Sequence, residues 1–166
     1  KENGPFLSYW DNEEKQLEGY YINGEKDGVW KTYYECGNIM QIQSFKNGVP
    51  EKEKIYYESG QYKVISNNNG EYKKWNITGE LEREGQMING LVTGIWKYYN
   101  KDGTVDYEIT YNQGVPIYKT LYIGEIKASG GVNAEGGHDG IWKVFNSSGN
   151  LIRQLTYKNG DIVDTE

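Results

Sequence analysis

An internal repeat runs through almost the whole chain of 166 residues. Its clearest copies are the segments DGVWKTYYECGNI from Asp27, TGIWKYYNKDGTV from Thr93 and DGIWKVFNSSGNL from Asp139. Each copy has a glycine, followed two residues later by a tryptophan, then directly by a lysine, with an aromatic residue five positions and a second glycine nine positions after the first. Periods of 20–50 residues are typical of proteins that stack one small supersecondary motif. The repeat therefore restricts the chain to a tandem architecture.

Weaker copies complete the array. NGPFLSYWDNE and NGEYKKWNITGEL keep the frame, and the anchoring glycines then fall at 4, 28, 70, 94 and 140. Two of the gaps between them have double length, which predicts hidden units at NGVPEKEKIYYESG and QGVPIYKTLYIGE. We therefore expect a single repeat domain over residues 1–166, with about seven units that start near 4, 28, 51, 70, 94, 117 and 140.

Each unit has the pattern of a β-hairpin. The segment from Val29 to Glu35 is rich in Trp, Thr and Tyr, and a Cys-Gly, Asp-Gly or Ser-Gly pair supplies the turn. In the return segment apolar residues alternate, as at Val105, Tyr107 and Ile109. Asn-Gly or Gln-Gly pairs then lead into the next unit. The pattern predicts an all-β fold: an elongated single-layer antiparallel sheet of about seven tandem hairpins, with little or no helix.

The first strand of each unit carries two aromatic residues three positions apart. In a regular strand, side chains at this spacing point to opposite faces of the sheet. Either the sheet has aromatic residues on both faces or a bulge turns the strand. We expect the first, with the tryptophans and the apolar residues of the return strand on one face, and room for the indole rings at Gly28, Gly94 and Gly140. On the other face we expect lysines to pair with the acids Glu82, Glu84, Asp106 and Glu108.

Lysines and rings recur together on that second face and form the candidate binding surface. Its members are Lys31, Tyr33, Lys73, Trp75, Lys97, Tyr99, Lys143 and Phe145. Such a surface suits an acidic strip of a protein, a lipid headgroup or a sugar. The alternative interpretation is structural: the lysines pair with neighbouring acids while the rings pack. The residues alone leave both open.

Charge and composition exclude several classes of function. Lys and Arg number 18 against 24 Asp and Glu, so the net charge of −6 argues against nucleic-acid binding. The single cysteine cannot form an intrachain disulfide, one cysteine and one histidine do not suffice for a Cys/His zinc site, and we expect no cofactor. No apolar run approaches the ~18 residues of a membrane-spanning helix. We expect His138 to be a solvated side chain in a Gly-rich loop lengthened between repeats. The start at Lys1, without Met, indicates that a preceding segment was removed, either as a processed signal peptide or at an artificial boundary. We favour the signal peptide, and so expect an exported or cell-envelope-associated protein over a cytoplasmic one.

The motif Gly-x-Trp-Lys-x-aromatic, with the later aromatic-x-Asn-Gly, resembles the bacterial variant of the MORN repeat (membrane occupation and recognition nexus) found in YwqK-type antitoxin proteins. The resemblance implies a sheet of hairpins without enzymatic activity, often on exported or surface-associated bacterial proteins. Choline-binding cell-wall repeats have a similar length, but their Trp-Tyr-Tyr and Gly-Trp signatures are missing here. We therefore expect a non-catalytic scaffold that binds an unidentified protein, either antitoxin-like or surface-exposed. The alternative is a cell-envelope module with peripheral contact to glycans or lipid headgroups.

Overall fold

The computed structural model describes residues 1–165, and these fold into β-strands joined by turns, with no helix among them. The chain divides into two compact structural units, each of which spans several repeats. The first unit is Lys1–Leu81 and the second unit begins at Glu82. The strands are β1 Gly4–Tyr9, β2 Lys15–Ile22, β3 Glu25–Tyr33, β4 Ile39–Lys46, β5 Val49–Tyr56, β6 Tyr62–Asn67, β7 Gly70–Trp75, β8 Leu81–Ile88, β9 Leu91–Tyr99, β10 Val105–Asn112, β11 Val115–Ile123, β12 Ile126–Val132, β13 His138–Phe145, β14 Leu151–Lys158 and β15 Asp161–Thr165.

Within each unit every strand pairs antiparallel with its neighbours in the chain. The first unit runs from β1 to β7 in sequence order. The second runs from β8 to β15 in the same way. This antiparallel meander confirms the predicted all-β fold of tandem hairpins.

Two kinds of turn join the strands, and the sequence sets both. In five of the short turns, Asn or Gln precedes Gly and both residues have positive φ, for example 54° at Asn23 and 81° at Gly24. That is the conformation of the two-residue turn that suits the twist of a hairpin. In the longer turns the first residue donates its N–H to the carbonyl four residues later, as from Tyr34 to Asn38 at 2.8 Å and from Asn100 to Thr104 at 2.9 Å.

A bulge marks the tryptophan-bearing strands. On β2, Glu18 pairs with Lys31 and Tyr20 pairs with Asp27, so the single residue Gly19 faces three residues of β3. Gly28 opens this bulge with φ +67°, and Gly94 and Gly140 have φ +64° and +72° in the corresponding strands. The structure therefore contains both the bulge and the two-sided sheet that the sequence presented as alternatives.

The tryptophans form the core. Trp30, Trp96 and Trp142 are only 2–3% exposed. Each indole lies against a glycine of the preceding strand, where a Cβ atom at Gly19 or Gly85 would come within 2.1 or 2.3 Å of the ring. Gly130 relates to Trp142 in the same way, at 2.4 Å.

The expected position of the accommodating glycine was wrong. A Cβ atom at Gly28, Gly94 or Gly140 would meet no atom within 4 Å. These glycines supply the positive φ of the bulge, and the space for the indole comes from the strand before. The expected face of the return strand also needs one correction: Ile109 lies across from Trp96, but the register shift near Asp106 pairs Val105 with Tyr99.

Side chains of neighbouring strands complete the burial of each indole. Around Trp30 the ring centroids of Phe6, Tyr21 and Phe45 lie at 5.7, 4.9 and 6.5 Å. The Lys26 ammonium lies 4.4 Å from the indole centroid, within range of a cation–π interaction. In this way a single layer of strands buries a large ring without a second layer.

His138 was wrongly expected in a loop. It begins β13, and its ring centroid lies 3.8 Å from that of Trp142 and 4.9 Å from that of Tyr157. It occupies the position that Lys26 has beside Trp30, two residues before the bulge glycine. Burial, followed by the charge of Lys119, lowers the pKa of His138. The Gly-rich segment around it is the end of β12, a turn and the start of β13, and it supplies the glycine under Trp142.

The packing of Trp96 on Gly85 predicts the effect of one added methyl group. Gly85→Ala should destabilise the protein by about 1–3 kcal/mol, because the Cβ atom overlaps the indole ring. Trp96→Ala should cost about 3–5 kcal/mol, as for other truncations of buried aromatic residues. Urea denaturation measures both.

The double variant provides the control. In the Trp96→Ala background, the methyl group that Gly85→Ala adds meets no ring, so the cost of Gly85→Ala should largely disappear. An equal cost of Gly85→Ala in both backgrounds would contradict the assigned packing.

Candidate functional site

The face opposite the tryptophans carries a hydrogen-bonded cluster in the first unit. Lys31 and Tyr33 both reach the same oxygen of Glu18, with Lys31 Nζ at 3.2 Å and the Tyr33 hydroxyl at 2.6 Å. The other carboxylate oxygen accepts a hydrogen bond from Lys15 Nζ at 3.0 Å. Glu18 immediately precedes Gly19, so its side chain emerges on the other face from the indole.

This cluster shifts the titration of its members. The hydrogen bond from Tyr33, and then those from Lys15 and Lys31, lower the pKa of Glu18 to about 2. Burial and the hydrogen bond to Glu18 raise the pKa of Tyr33 to about 12. The carboxylate is thus internally neutralised, which supports the structural interpretation for Lys31. Sequence reasoning did not identify Glu18, although an acid directly before the glycine that receives the indole is a usable signal.

The second unit repeats the arrangement at Lys97 and Tyr99. The Tyr99 hydroxyl donates to Glu84 at 2.5 Å, and burial followed by this hydrogen bond raises the pKa of Tyr99 to about 12. Lys97 lies directly across from Glu84 on β8 and from Glu108 on β10. The expected apposition of lysines and acids therefore occurs at Glu84 and Glu108.

Lys73 and Trp75 lie on β7 in the first unit. Lys73 Nζ is 3.3 Å from a carboxylate oxygen of Glu71 on the same strand. The Trp75 ring lies 6.1 Å from that of Tyr62, and the Trp75 carbonyl accepts a hydrogen bond from Tyr57 at 3.1 Å. This part of the face is therefore an aromatic group with a locally paired lysine.

Lys143 and Phe145 differ from their counterparts. Lys143 is exposed, and within residues 1–165 it forms no ion pair. Phe145 is half-buried and lines an open groove of about 510 Å³ together with Lys127 and Ser129. Here the residue across from the lysine is Ser129, where Lys31 and Lys97 have Glu18 and Glu84.

Exposed aliphatic side chains accompany the lysines. Val29, Ile95 and Ile141 are 54–57% exposed, and each lies two residues before Lys31, Lys97 or Lys143 on the same strand. Residues two apart in a strand share a face, and Val29 and Lys31 indeed line one shallow depression. Sequence reasoning missed these residues, although a β-branched residue recurs between Gly and Trp in the three clearest copies.

Two other features, a metal site and a membrane-spanning helix, were also sought among the described residues. Within residues 1–165 no group of three or more His, Cys, Asp or Glu side chains is placed to hold a metal ion. No helix capable of crossing a membrane occurs in this same range.

Comparison with known families identifies three segments of the chain. Residues 26–47, 92–113 and 139–159 match the MORN repeat variant. Each of these segments contains one bulge glycine with its buried tryptophan and the lysine that follows. MORN repeats are generally non-catalytic scaffolds for interaction with proteins or membranes. No curated protein matches the chain.

The Glu18 cluster predicts a measurable titration. The pKa of Glu18 is lower in the folded protein than the ordinary carboxyl value of 4.5. Ionised Glu18 therefore stabilises the fold at pH values above 4.5, and this stabilisation is lost as the pH falls toward 2. Tyr33→Phe removes the largest cause of the shift and should raise the pKa of Glu18. A carbon-13 NMR titration of the Glu18 carboxyl group measures the change.

Tyr34→Phe is the matched control. The Tyr34 hydroxyl donates to the carbonyl of Tyr56 and does not contact Glu18, so its removal should leave the Glu18 titration unchanged. Equal pKa values of Glu18 in the wild type and in Tyr33→Phe would refute the assigned hydrogen bond.

Proposed function

We propose that the chain is a non-catalytic scaffold that binds a partner protein through the lysine face, defined as the sheet face opposite the buried tryptophans. The observation that carries the proposal is the exposure of Val29, Ile95 and Ile141 beside the lysines. The matches to the MORN repeat variant support the same class of function.

The physical argument is that these aliphatic side chains are not needed for the core. The buried tryptophans and their flanking rings hold the strands together on the other face. A valine or isoleucine that remains more than half exposed at the same repeat position gains little from folding. Apolar groups rimmed by charges are typical of interaction surfaces, where a partner removes them from water. The three clearest copies of the repeat all present this combination.

A narrower form of the proposal is a toxin-neutralising or surface-exposed role in a bacterium, with export from the cytoplasm. It is supported by the sequence resemblance to YwqK-type antitoxin proteins. The remaining candidate members of the surface, Lys73 and Trp75, fit such a role as a flanking aromatic contact. Binding to glycans or lipid headgroups is the competing outcome, because lysines beside rings suit those ligands too.

One pair of variants tests the lysine face. Ile95→Glu places a charge among the exposed aliphatic side chains and should reduce capture of a stoichiometric partner, measured by affinity purification and mass spectrometry. Ile77→Glu is the matched control, because Ile77 is 67% exposed but lies in a turn. Loss of the partner with Ile95→Glu and its retention with Ile77→Glu is the expected result.

The opposite results are equally informative. If the partner is captured equally by both variants, the lysine face is not the interface. If the protein is retained on isolated cell wall or on anionic vesicles and Ile95→Glu abolishes this retention, the lysine face serves an envelope ligand and the proposed protein partner is wrong.

A further inference from the structure

The last tryptophan-bearing repeat lacks a carboxylate that its sister repeats contain. Lys31 lies across from Glu18, and Lys97 lies across from Glu84. At the corresponding register position the partner of Lys143 is Ser129. The substitution removes the negative charge opposite the lysine while the lysine itself is retained.

The aromatic residue has changed together with the acid. Tyr33 and Tyr99 donate hydrogen bonds to Glu18 and Glu84. In the last repeat this residue is Phe145, which has no hydroxyl group to donate. The two changes fit each other, since a tyrosine hydroxyl without its carboxylate would lose its acceptor.

The altered position opens onto a groove with polar donors. Ser129 is 7% exposed, and its oxygen accepts a hydrogen bond from the Tyr118 hydroxyl at 3.1 Å, which leaves the Ser129 proton to donate. Lys127 and Phe145 line the same groove of about 510 Å³. Glu125 also lines it but forms no ion pair with Lys127 or Lys143 within residues 1–165.

We infer that this groove, with Lys143 beside it, binds a carboxylate of the partner protein, an Asp or Glu side chain that replaces the missing internal glutamate. The inference rests on the proposed function and specifies the chemistry of the partner. In the sister repeats the same lysine position faces an internal carboxylate, and Lys31 shows the resulting ion pair directly. Charge complementarity therefore selects an acidic segment, and the Phe145 ring provides an apolar contact beside it.

A labelled hexaglutamate peptide is the direct probe, with hexaglutamine as the uncharged control. Amide NMR titration of the wild type should show perturbations at Lys127, Ser129 and Lys143 with hexaglutamate alone. Lys143→Gln should weaken binding by about tenfold or more, because a charge-assisted hydrogen bond is lost. Lys101→Gln removes another exposed lysine from a turn of the same unit and should leave the affinity unchanged.

A second variant restores the pattern of the sister repeats. Ser129→Glu with Phe145→Tyr supplies an internal carboxylate and its tyrosine donor, so peptide binding should again fall by about tenfold or more. Circular dichroism and thermal unfolding check the fold of this variant. If the double variant unfolds, Lys143→Gln against Lys101→Gln decides the question alone.

The inference fails if hexaglutamate does not bind, if hexaglutamine binds as well, or if Lys143→Gln retains the wild-type affinity. It also fails if the site binds phosphatidylserine vesicles through Lys143 but not the peptide, since the ligand is then a lipid. These failures are distinguishable from failure of the proposed function. If the protein captures a partner in an Ile95-dependent way but does not bind hexaglutamate, the scaffold function stands and only the carboxylate site is wrong.

Discussion

The contact between an indole ring and a cross-strand glycine is the interaction on which the rest of the structure depends. In a single layer of strands, a tryptophan ordinarily remains exposed on at least one side. Here Gly19 has no side chain, so the Trp30 ring lies directly on the backbone of β2. The bulge in β3 places three residues opposite Gly19. Phe6 and Tyr21 then cover the outer side. Close contact with the backbone below and rings above replaces the second layer of an ordinary β-protein.

This arrangement separates stability from recognition. Because the indole and its flanking rings provide the burial on one face, the other face can vary without loss of the core. The Glu18 cluster shows what that face does by default: it neutralises Lys31 internally and holds Tyr33 in place. An exposed lysine without such a carboxylate across from it, as at Lys143, is therefore a departure from the pattern of Lys31 and Lys97.

The sequence predicted the hairpins because turns depend on local chemistry. Asn-Gly pairs with positive φ and alternating apolar residues determine structure over only a few positions, so a single sequence is enough to recognise both. The packing partner of the indole was not predictable in the same way. Gly28 is close to Trp30 in sequence, whereas Gly19 is brought to it by a register shift that places three residues of β3 against one of β2. Strand pairing also brings Glu18 to Lys31, which lies 13 residues later in the sequence. His138 was expected in a loop but begins β13, where its ring packs on Trp142.

The two hidden repeats, which start near 51 and 117, keep the strand pairing although they have lost both the leading glycine and the tryptophan. In them Pro50 and Pro116 follow the short turn, and neither segment belongs to a match with the MORN repeat variant. Yet Pro50 pairs with Phe45 while Lys52 pairs with Ser44, so one residue is extra in β5, compared with two in the tryptophan-bearing strand β3. Pro116 shows the same shift against Tyr111. Proline has no N–H to donate to the ladder and is tolerated at bulges, so it is compatible with this smaller register shift. The repeat thus keeps its antiparallel strand pairing where its sequence signature is lost, although the register shift is smaller.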